Sequence, residues 1–262
     1  TIVSNIDDAE GEKFLAMNVP NKIPYSLKNS GKSDFLEFSQ LKIPPELPGE
    51  FNRYNLLAAI SFAKSIGIKP EVVKHAVENF RGVPGRMEYV REGQPFDVIV
   101  DYAHTPDSLK SVYTFLKESR PYKLPAADQL GWARQATSYK LICILGSTGG
   151  GRDKWKRPAM GKIAAEFCDT IILTDEDPYD ENPQQIIDDI ARGIKTLDAK
   201  RYTLQNILDR RKAIHTALAQ AQKGDAVIIT GKGTDPYIMG PNGTKQVWSD
   251  KAVAQEELRA MK

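Results

Sequence analysis

Apolar positions recur along this chain with two different periods, and the change between them divides it. Residues 1 to 47 carry brief apolar runs broken by Asn5-Ile-Asp-Asp8, Pro20-Asn21, Asn29-Ser-Gly31 and Pro44-Pro45, which predicts small strands and loops. From Phe51 to Ile66 the spacing becomes helical, with Leu56, Ala59, Ile60 and Ala63 on one face and Gly67 as a stop. A second helix is predicted from Pro70, a good first-turn residue, to about Phe80. Gly82-Val-Pro-Gly85 is a compact breaker and marks a predicted boundary between domains 1–82 and 83–262.

Beyond it, short continuous apolar runs alternate with helical segments. Strands are predicted at Phe96–Asp101, Leu141–Leu145, Thr170–Thr174 and Ala226–Thr230. Helices are predicted from Asp107 to Glu118, from the Gly-rich Gly146–Gly151 loop to about Phe167, from Pro183 to about Leu197, and from Asp209 to Ala221. Repeated βαβ units predict an α/β fold, a Rossmann-like C-terminal domain whose mostly parallel sheet carries helices on both faces. Ligands on such sheets gather where the strands end. The stretch Ser119–Ser138 fits neither period and is expected to be an exposed insertion.

Charge narrows the function classes. Thirty-six basic residues against 34 acidic ones leave a net +2, so strong non-specific attraction to nucleic acid or anionic membrane is not expected. No run of apolar residues reaches membrane-spanning length, and the start lacks the basic and apolar regions of a signal peptide, so a cytoplasmic location is expected. The opening at Thr1, inside a strand-like run, is expected of a fragment of a longer protein. Cys143 and Cys168 each sit in an apolar context and are expected to be buried free thiols of a reducing compartment.

The unusual polar residues fall at predicted strand ends. Gly146-Ser-Thr-Gly-Gly-Gly151 follows a strand and opens a helix, a position that favours an anion. Arg152-Asp153 stands where a phosphate-binding loop needs Lys and Ser or Thr, and Gly31-Lys32-Ser33 lacks the first glycine, so neither is such a loop. The cations Arg152, Lys154, Lys156 and Arg157 suggest a carboxylate or phosphate site beside this turn. Asp101 and His104 end the first strand; spacing alone reads them as a turn residue and a solvated loop residue. Asp175-Glu176-Asp177 and Gly231-Lys232-Gly233-Thr234-Asp235 end two more strands. His75, His104 and His215 are far apart, and no metal-ligand cluster is expected.

Five ordered motifs together resemble one family. Leu47-Pro-Gly-Glu-Phe-Asn52-Arg-Tyr-Asn55, Gly82-Val-Pro-Gly-Arg86-Met-Glu88, Val100-Asp-Tyr-Ala-His-Thr-Pro106, Gly151-Arg-Asp-Lys-Trp-Lys-Arg-Pro158 and Gly231-Lys-Gly233 occur in the order found in Mur ligases, the ATP-dependent amino-acid-adding enzymes of peptidoglycan synthesis. The resemblance is strongest to the members that add the third residue of the stem peptide. It implies UDP-N-acetylmuramoyl-dipeptide and an amino acid as substrates, ATP and Mg²⁺ as cofactors, and a monomer. Residues 1–82 would be the tail of a central ATP-binding domain, with lost sheet neighbours. Asn52 would contact adenine, Arg86 the ATP phosphates, and Asp101 the ribose with His104 beside it. Arg152 would bind the carboxylate of the incoming amino acid. Glu176, Asp177 and Tyr179 occupy the family's Asp-Asn-Pro-Arg box, and Gly231 with Asp235 its Gly-Lys-Gly-His-Glu run.

The departures carry expectations too. Tyr179 stands where the family's arginine grips the distal carboxylate of diaminopimelate, and Asp177 adds a negative charge where the family has Asn. A side chain ending in an ammonium group, lysine or ornithine, is expected on that basis. The catalytic residues that the resemblance implies, the phosphate-binding loop, the Mg²⁺ ligand and a carbamylated lysine, have no counterpart in these residues, so the chain alone is expected to lack ligase activity. A free-standing amino-acid or nucleotide-binding module and a degenerate Mur-like partner subunit remain open alternatives.

Overall fold

In a computed structural model of the chain, residues 1–29, 38–118, 139–195 and 201–262 are described. The predicted insertion at Ser119–Ser138 and the predicted helix end near Leu197 lie outside them. The chain divides into two compact units, Thr1–Gly82 and Val83–Lys262.

In the first unit, strands β1 (Ile2–Asn5) and β2 (Lys22–Tyr25) pair in parallel, and a short helix α1 (Gly11–Leu15) connects them. Helices α2 (Glu50–Ser65) and α3 (Pro70–Glu78) match the two predicted helical segments closely. Their inward residues Leu56, Leu57, Ile60, Val73 and Val77 form a core with Phe38 and Leu41. Asp7 ties the strands to α2: its carboxylate accepts from Ser26 Oγ and the Leu27 N–H at 2.7 Å and from Tyr54 O–H at 3.0 Å.

The second unit is built on a six-stranded sheet. Its strands are β3 (Glu88–Tyr89), β4 (Asp97–Asp101), β5 (Leu141–Leu145), β6 (Thr170–Leu173), β7 (Thr203–Asn206) and β8 (Ala226–Thr230), in the order β3-β4-β8-β5-β6-β7. Only β3 runs antiparallel. The central strands are runs of Val, Ile and Leu because both of their faces are covered. Successive side chains alternate between faces. Val98, Val100, Ile142, Ile144, Ile172, Val227 and Ile229 pack with residues of α7 (Arg210–Gln220) and α8 (Asp250–Ala260). The alternation sends Ile99, Cys143, Ile171 and Ile228 to the other face, the side of α4 (Pro106–Glu118), α5 (Lys156–Phe167) and α6 (Pro183–Ile194). A short antiparallel pair, β9 (Tyr237–Met239) with β10 (Lys245–Val247), lies between β8 and α8. No helix among the described residues is long and apolar enough to cross a membrane.

The cysteines do not behave as expected. Cys143 in mid-β5 and Cys168 at the end of α5 form a disulfide, with Cα atoms 6.1 Å apart. The β5–α5–β6 crossover returns the chain to the strand beside β5, which brings together two residues separated by 25 positions. The reading of two free thiols is therefore overturned, and the reducing compartment inferred from them loses its basis.

Candidate functional site

Because β4, β5, β6 and β8 are parallel, their carboxyl ends share one rim, and the polar clusters that follow them are neighbours in space. Arg210, at the start of α7, holds that rim from below. Its buried guanidinium pairs with Asp250 through Nε and Nη2 at 2.8 and 2.7 Å, and also donates to the carbonyls of Thr230 (2.8 Å) and Asp175 (3.1 Å). Trp248 Nε1 donates to the same Asp250 carboxylate at 2.8 Å. Burial opposes the charge on Arg210, but Asp250, joined by Glu176 and Asp175, outweighs it and the pKa is raised. One cation thus fastens the ends of β6 and β8 to α8.

Two loops above it are fitted together. The Gly149 N–H donates to the Asp177 carbonyl at 2.7 Å, and a Cβ on Gly149 would run into the carbonyl oxygen of Pro178. Gly150, at φ +66°, lies under the Tyr179 ring, which a side chain there would strike. Tyr179 itself takes the left-handed region (φ 51°), and its N–H donates to the Met239 carbonyl at 3.0 Å. The glycine spacing that imitates a phosphate loop therefore serves a close approach between two loops.

These loops enclose a cavity of about 600 Å³. His104, Arg152, Glu176, Asp177, Tyr179, Gly231 and Asp235 line it, all of them site residues expected from the sequence. Arg86 and Asp101 lie outside the lining, and Asn52 belongs to the other unit.

Each side chain has a distinct setting. Arg152 is exposed and, among the described residues, its guanidinium makes no hydrogen bond or ion pair, so it is available to an anion. Glu176 is 2% exposed; Thr148 Oγ1 donates to its Oε1 at 2.9 Å, while Oε2 has no partner among the described residues. Asp177 is committed: Lys232 Nζ lies 2.8 Å from both of its oxygens, and the Met239 N–H donates to it at 2.8 Å. The extra negative charge read into Asp177 is thus neutralised within the fold, and that argument for an ammonium-ended substrate fails. Asp235, with its side chain 43% exposed, sits 3.8 Å from the same Lys232 Nζ.

Asp101 is buried, and its oxygens accept from the N–H groups of Met87 (2.7 Å) and Ala103 (2.8 Å). Burial raises its pKa, opposed by those two donors. In this structure it shapes the turn, as spacing alone suggested, and no carboxylate oxygen is left without a donor. The Arg86 guanidinium is exposed and lies 4.4 Å over the Tyr102 ring. His104 Nδ1 is 2.8 Å from the Tyr102 carbonyl. Asn52, in the first turn of α2, donates to the Pro48 carbonyl at 2.8 Å and accepts from Asn55 at 3.3 Å.

Sequence reasoning gave no role of their own to two supporting or lining residues, Lys232 and Trp155. The sequence presents Lys232 only as part of the Gly231–Asp235 cluster, whereas its buried ammonium pairs with Asp177. Lys156, one of the cations that the sequence placed at an anion site beside this turn, is 9% exposed, donates to the His104 carbonyl at 3.0 Å, and has its pKa lowered by burial. Trp155 stands 71% exposed at the cavity wall.

Glu176 offers a test by pH. Burial raises its carboxyl above the ordinary 4.5, with Arg210 and Thr148 working in the other direction. The folded protein then holds this proton more tightly than the unfolded chain does, so ionisation opposes folding. That cost is absent below the unfolded pKa and grows as pH rises through the folded one. Glu176→Gln is expected to melt above the parent at about pH 8 and to lose the advantage as the pH falls toward about 4.5. A melting difference that stays constant across this range would exclude the buried charge as its cause.

Among the described residues, the strand ends of a mostly parallel α/β sheet gather an arginine without a side-chain partner, a buried carboxylate and an internal lysine–aspartate pair around one cavity. The chain belongs to the Mur ligase family: the family's model, described as Mur ligase, glutamate ligase domain, matches residues 85–233. It is 38% identical over 273 residues to a protein of Syntrophomonas wolfei subsp. wolfei named UDP-N-acetylmuramoyl-L-alanyl-D-glutamate–2,6-diaminopimelate ligase, covering 98% of this chain and 51% of that protein. A Thermosynechococcus vestitus protein of the same name is 42% identical over 216 residues, covering 81% of this chain and 39% of the relative. A solved structure bearing that ligase name matches 99% of this chain and 53% of its own, with 31% identity and a TM-score of 0.57. The chain spans about half the length of these relatives.

Proposed function

We propose that the chain is the amino-acid-receiving part of an ATP-dependent ligase that adds a third residue, a diamino acid, to UDP-N-acetylmuramoyl-dipeptide. The observation that carries this reading is the single cavity in which Arg152, Glu176, Tyr179 and Asp235 meet. The relatives' names support addition at the third position. When bound, ATP supplies the phosphoryl group that activates the acceptor carboxylate. This chain's own part is reception: Arg152 takes the α-carboxylate, and the amine is held facing the acceptor by positioning rather than by covalent chemistry.

The fit to ATP is partial. Arg86 presents an exposed guanidinium suited to phosphate, whereas the carboxylate of Asp101 and the amide of Asn52 are already engaged. Among the described residues there is no cluster of His, Cys, Asp and Glu that would hold a metal ion. Residues 1–82 are read as the end of a central ATP-binding domain, the longer protein as a cytoplasmic enzyme, and the chain by itself as inactive in ligation.

For the distal end of the amino acid, we favour an amine over a second carboxylate. The support is Tyr179, which brings no cation, and the unpartnered Oε2 of Glu176 in the wall. The diaminopimelate ligases among the relatives stand for the competing choice. The test is kinetic, on the longer ligase, with lysine, ornithine and diaminopimelate in turn. Arg152→Ala is expected to raise KM for the preferred amino acid by roughly 10–100-fold, the worth of a charged hydrogen bond, with little change in KM for ATP. An unchanged amino-acid KM would remove Arg152 from the role, and a clear preference for diaminopimelate would remove the amine-ended reading.

A further inference from the structure

We propose that Glu181, which lies outside the cavity lining, is a positioning residue that aims Arg152 at the carboxylate of the incoming amino acid. The inference rests on the reading of Arg152 given above and adds to it what holds that arginine in place.

Glu181 follows the Glu176–Tyr179 loop, and its N–H donates to the Pro178 carbonyl at 3.0 Å. Its carboxylate then reaches back across to the Gly-rich loop. Oε1 accepts from the Gly151 N–H at 3.3 Å, and Oε2 lies 3.0 Å from Lys154 Nζ. Gly151 and Lys154 bracket Arg152 in the chain, so one carboxylate holds the backbone on one side and a side chain on the other. Oε2 also accepts from Arg157 Nη2 at 3.1 Å. Arg157 is fully buried; its Nη2 donates to the Thr148 carbonyl at 3.2 Å and its Nη1 to Asp189 on α6 at 3.0 Å. Thr148 in turn donates its hydroxyl to Glu176. The network therefore runs from α6 through Arg157 and Glu181 to both edges of the Arg152 segment, and through Thr148 to the cavity's buried carboxylate.

Arg152 has little else to orient it. Its own N–H donates to the Gly149 carbonyl at 3.4 Å, and its side chain has no partner among the described residues. Four cations stand within six positions, Arg152, Lys154, Lys156 and Arg157, and they repel one another. Glu181 compensates Lys154 and Arg157, which leaves the charge of Arg152 directed to a ligand instead of displaced by its neighbours. A carboxylate that only closed a turn would not need three donors drawn from the segment around one free arginine.

The test compares Glu181→Ala, Glu181→Gln and Arg152→Ala in the longer ligase by steady-state kinetics and thermal melting. Loss of the loop anchor is expected to raise KM for the amino acid by on the order of tenfold in Glu181→Ala, with kcat and KM for ATP within about twofold of the parent. Glu181→Gln keeps an acceptor for the Gly151 N–H and is expected to fall between the two; it also decides the question if the alanine variant does not fold. A lowered melting temperature with unchanged amino-acid KM, or equal rises in both KM values, overturns the positioning role. Arg152→Ala separates the two ideas: no effect there removes the carboxylate reading itself, whereas an effect there without one at Glu181 removes only the present inference.

Discussion

Arg210→Ala is expected to destabilise the Val83–Lys262 unit by about 3–5 kcal/mol, the cost of breaking a buried ion pair from one side. Asp250 is 0% exposed and would keep only Trp248 Nε1 as a side-chain donor, in an interior where an uncompensated carboxylate is poorly solvated. The carbonyls of Thr230 and Asp175 would lose a donor at the same time. For a unit of this size each kcal/mol moves the melting temperature by about 2–4 °C, so a fall on the order of 10 °C is expected. Arg210→Met with Asp250→Leu removes both charges and is expected to recover much of the loss, because the penalty lies in the orphaned partner more than in the missing attraction. Denaturant titration of the single and double variants measures this. A cost below about 1 kcal/mol for the single change would show that water reaches Asp250 and that the pair does not hold the rim.

The second large effect is expected at Lys232. Its ammonium is 1% exposed and lies on both oxygens of Asp177, so Lys232→Met leaves that carboxylate with the Met239 N–H alone. A loss of about 3–5 kcal/mol is expected again, and here it falls on the loop that carries Glu176 and Tyr179. Weaker amino-acid binding should therefore accompany the lower melting temperature. Asp177→Asn added to Lys232→Met restores a neutral acceptor for the Met239 N–H and is expected to regain most of the stability. Lys232→Arg is not a conservative change, since a planar fork does not fit a space shaped for a compact ammonium. Calorimetry on the three variants decides it, and a double variant no more stable than the single one would show that the uncompensated Asp177 carboxylate is not the source of the loss.

Both expectations concern partnerships that cannot be read along the chain. Arg210 and Asp250 are 40 positions apart, and Lys232 and Asp177 are 55 apart. The expected helix at Asp209–Ala221 and strand at Ala226–Thr230 place Arg210 and Lys232 on the right elements, but which carboxylate each meets depends on strand order. The order β4-β8-β5-β6 puts the last parallel strand between the first two, so the segment after β8 arrives beside those after β4 and β5, and Lys232 reaches from it to Asp177 in the segment after β6, one strand further on. The same holds for Asp177, whose charge looked free until Lys232 was seen against it, and for Cys143 and Cys168.

Elements with a strong local signal were legible. Leu141–Leu145 and Ala226–Thr230 are strands at the expected residues, because a run of apolar side chains bounded by glycine or charge has few other uses in a buried sheet. Edge elements were not. β7, Thr203–Asn206, is polar and half-exposed, and α8 has a weakly apolar face, so neither has a period that stands out.

Local chemistry in the amino-acid order determined the alternation of strand and helix, the division near Gly82, and the set of polar clusters that end the strands, since each depends on neighbours a few residues away. Tertiary structure decided which of those clusters meet, which charges are spent on one another, and which remain for a ligand. Among the described residues, Arg152 and one oxygen of Glu176 stay unpaired at the cavity while Asp177 and Lys232 neutralise each other, because the pairing of charges is a property of distance in three dimensions and strand order sets those distances.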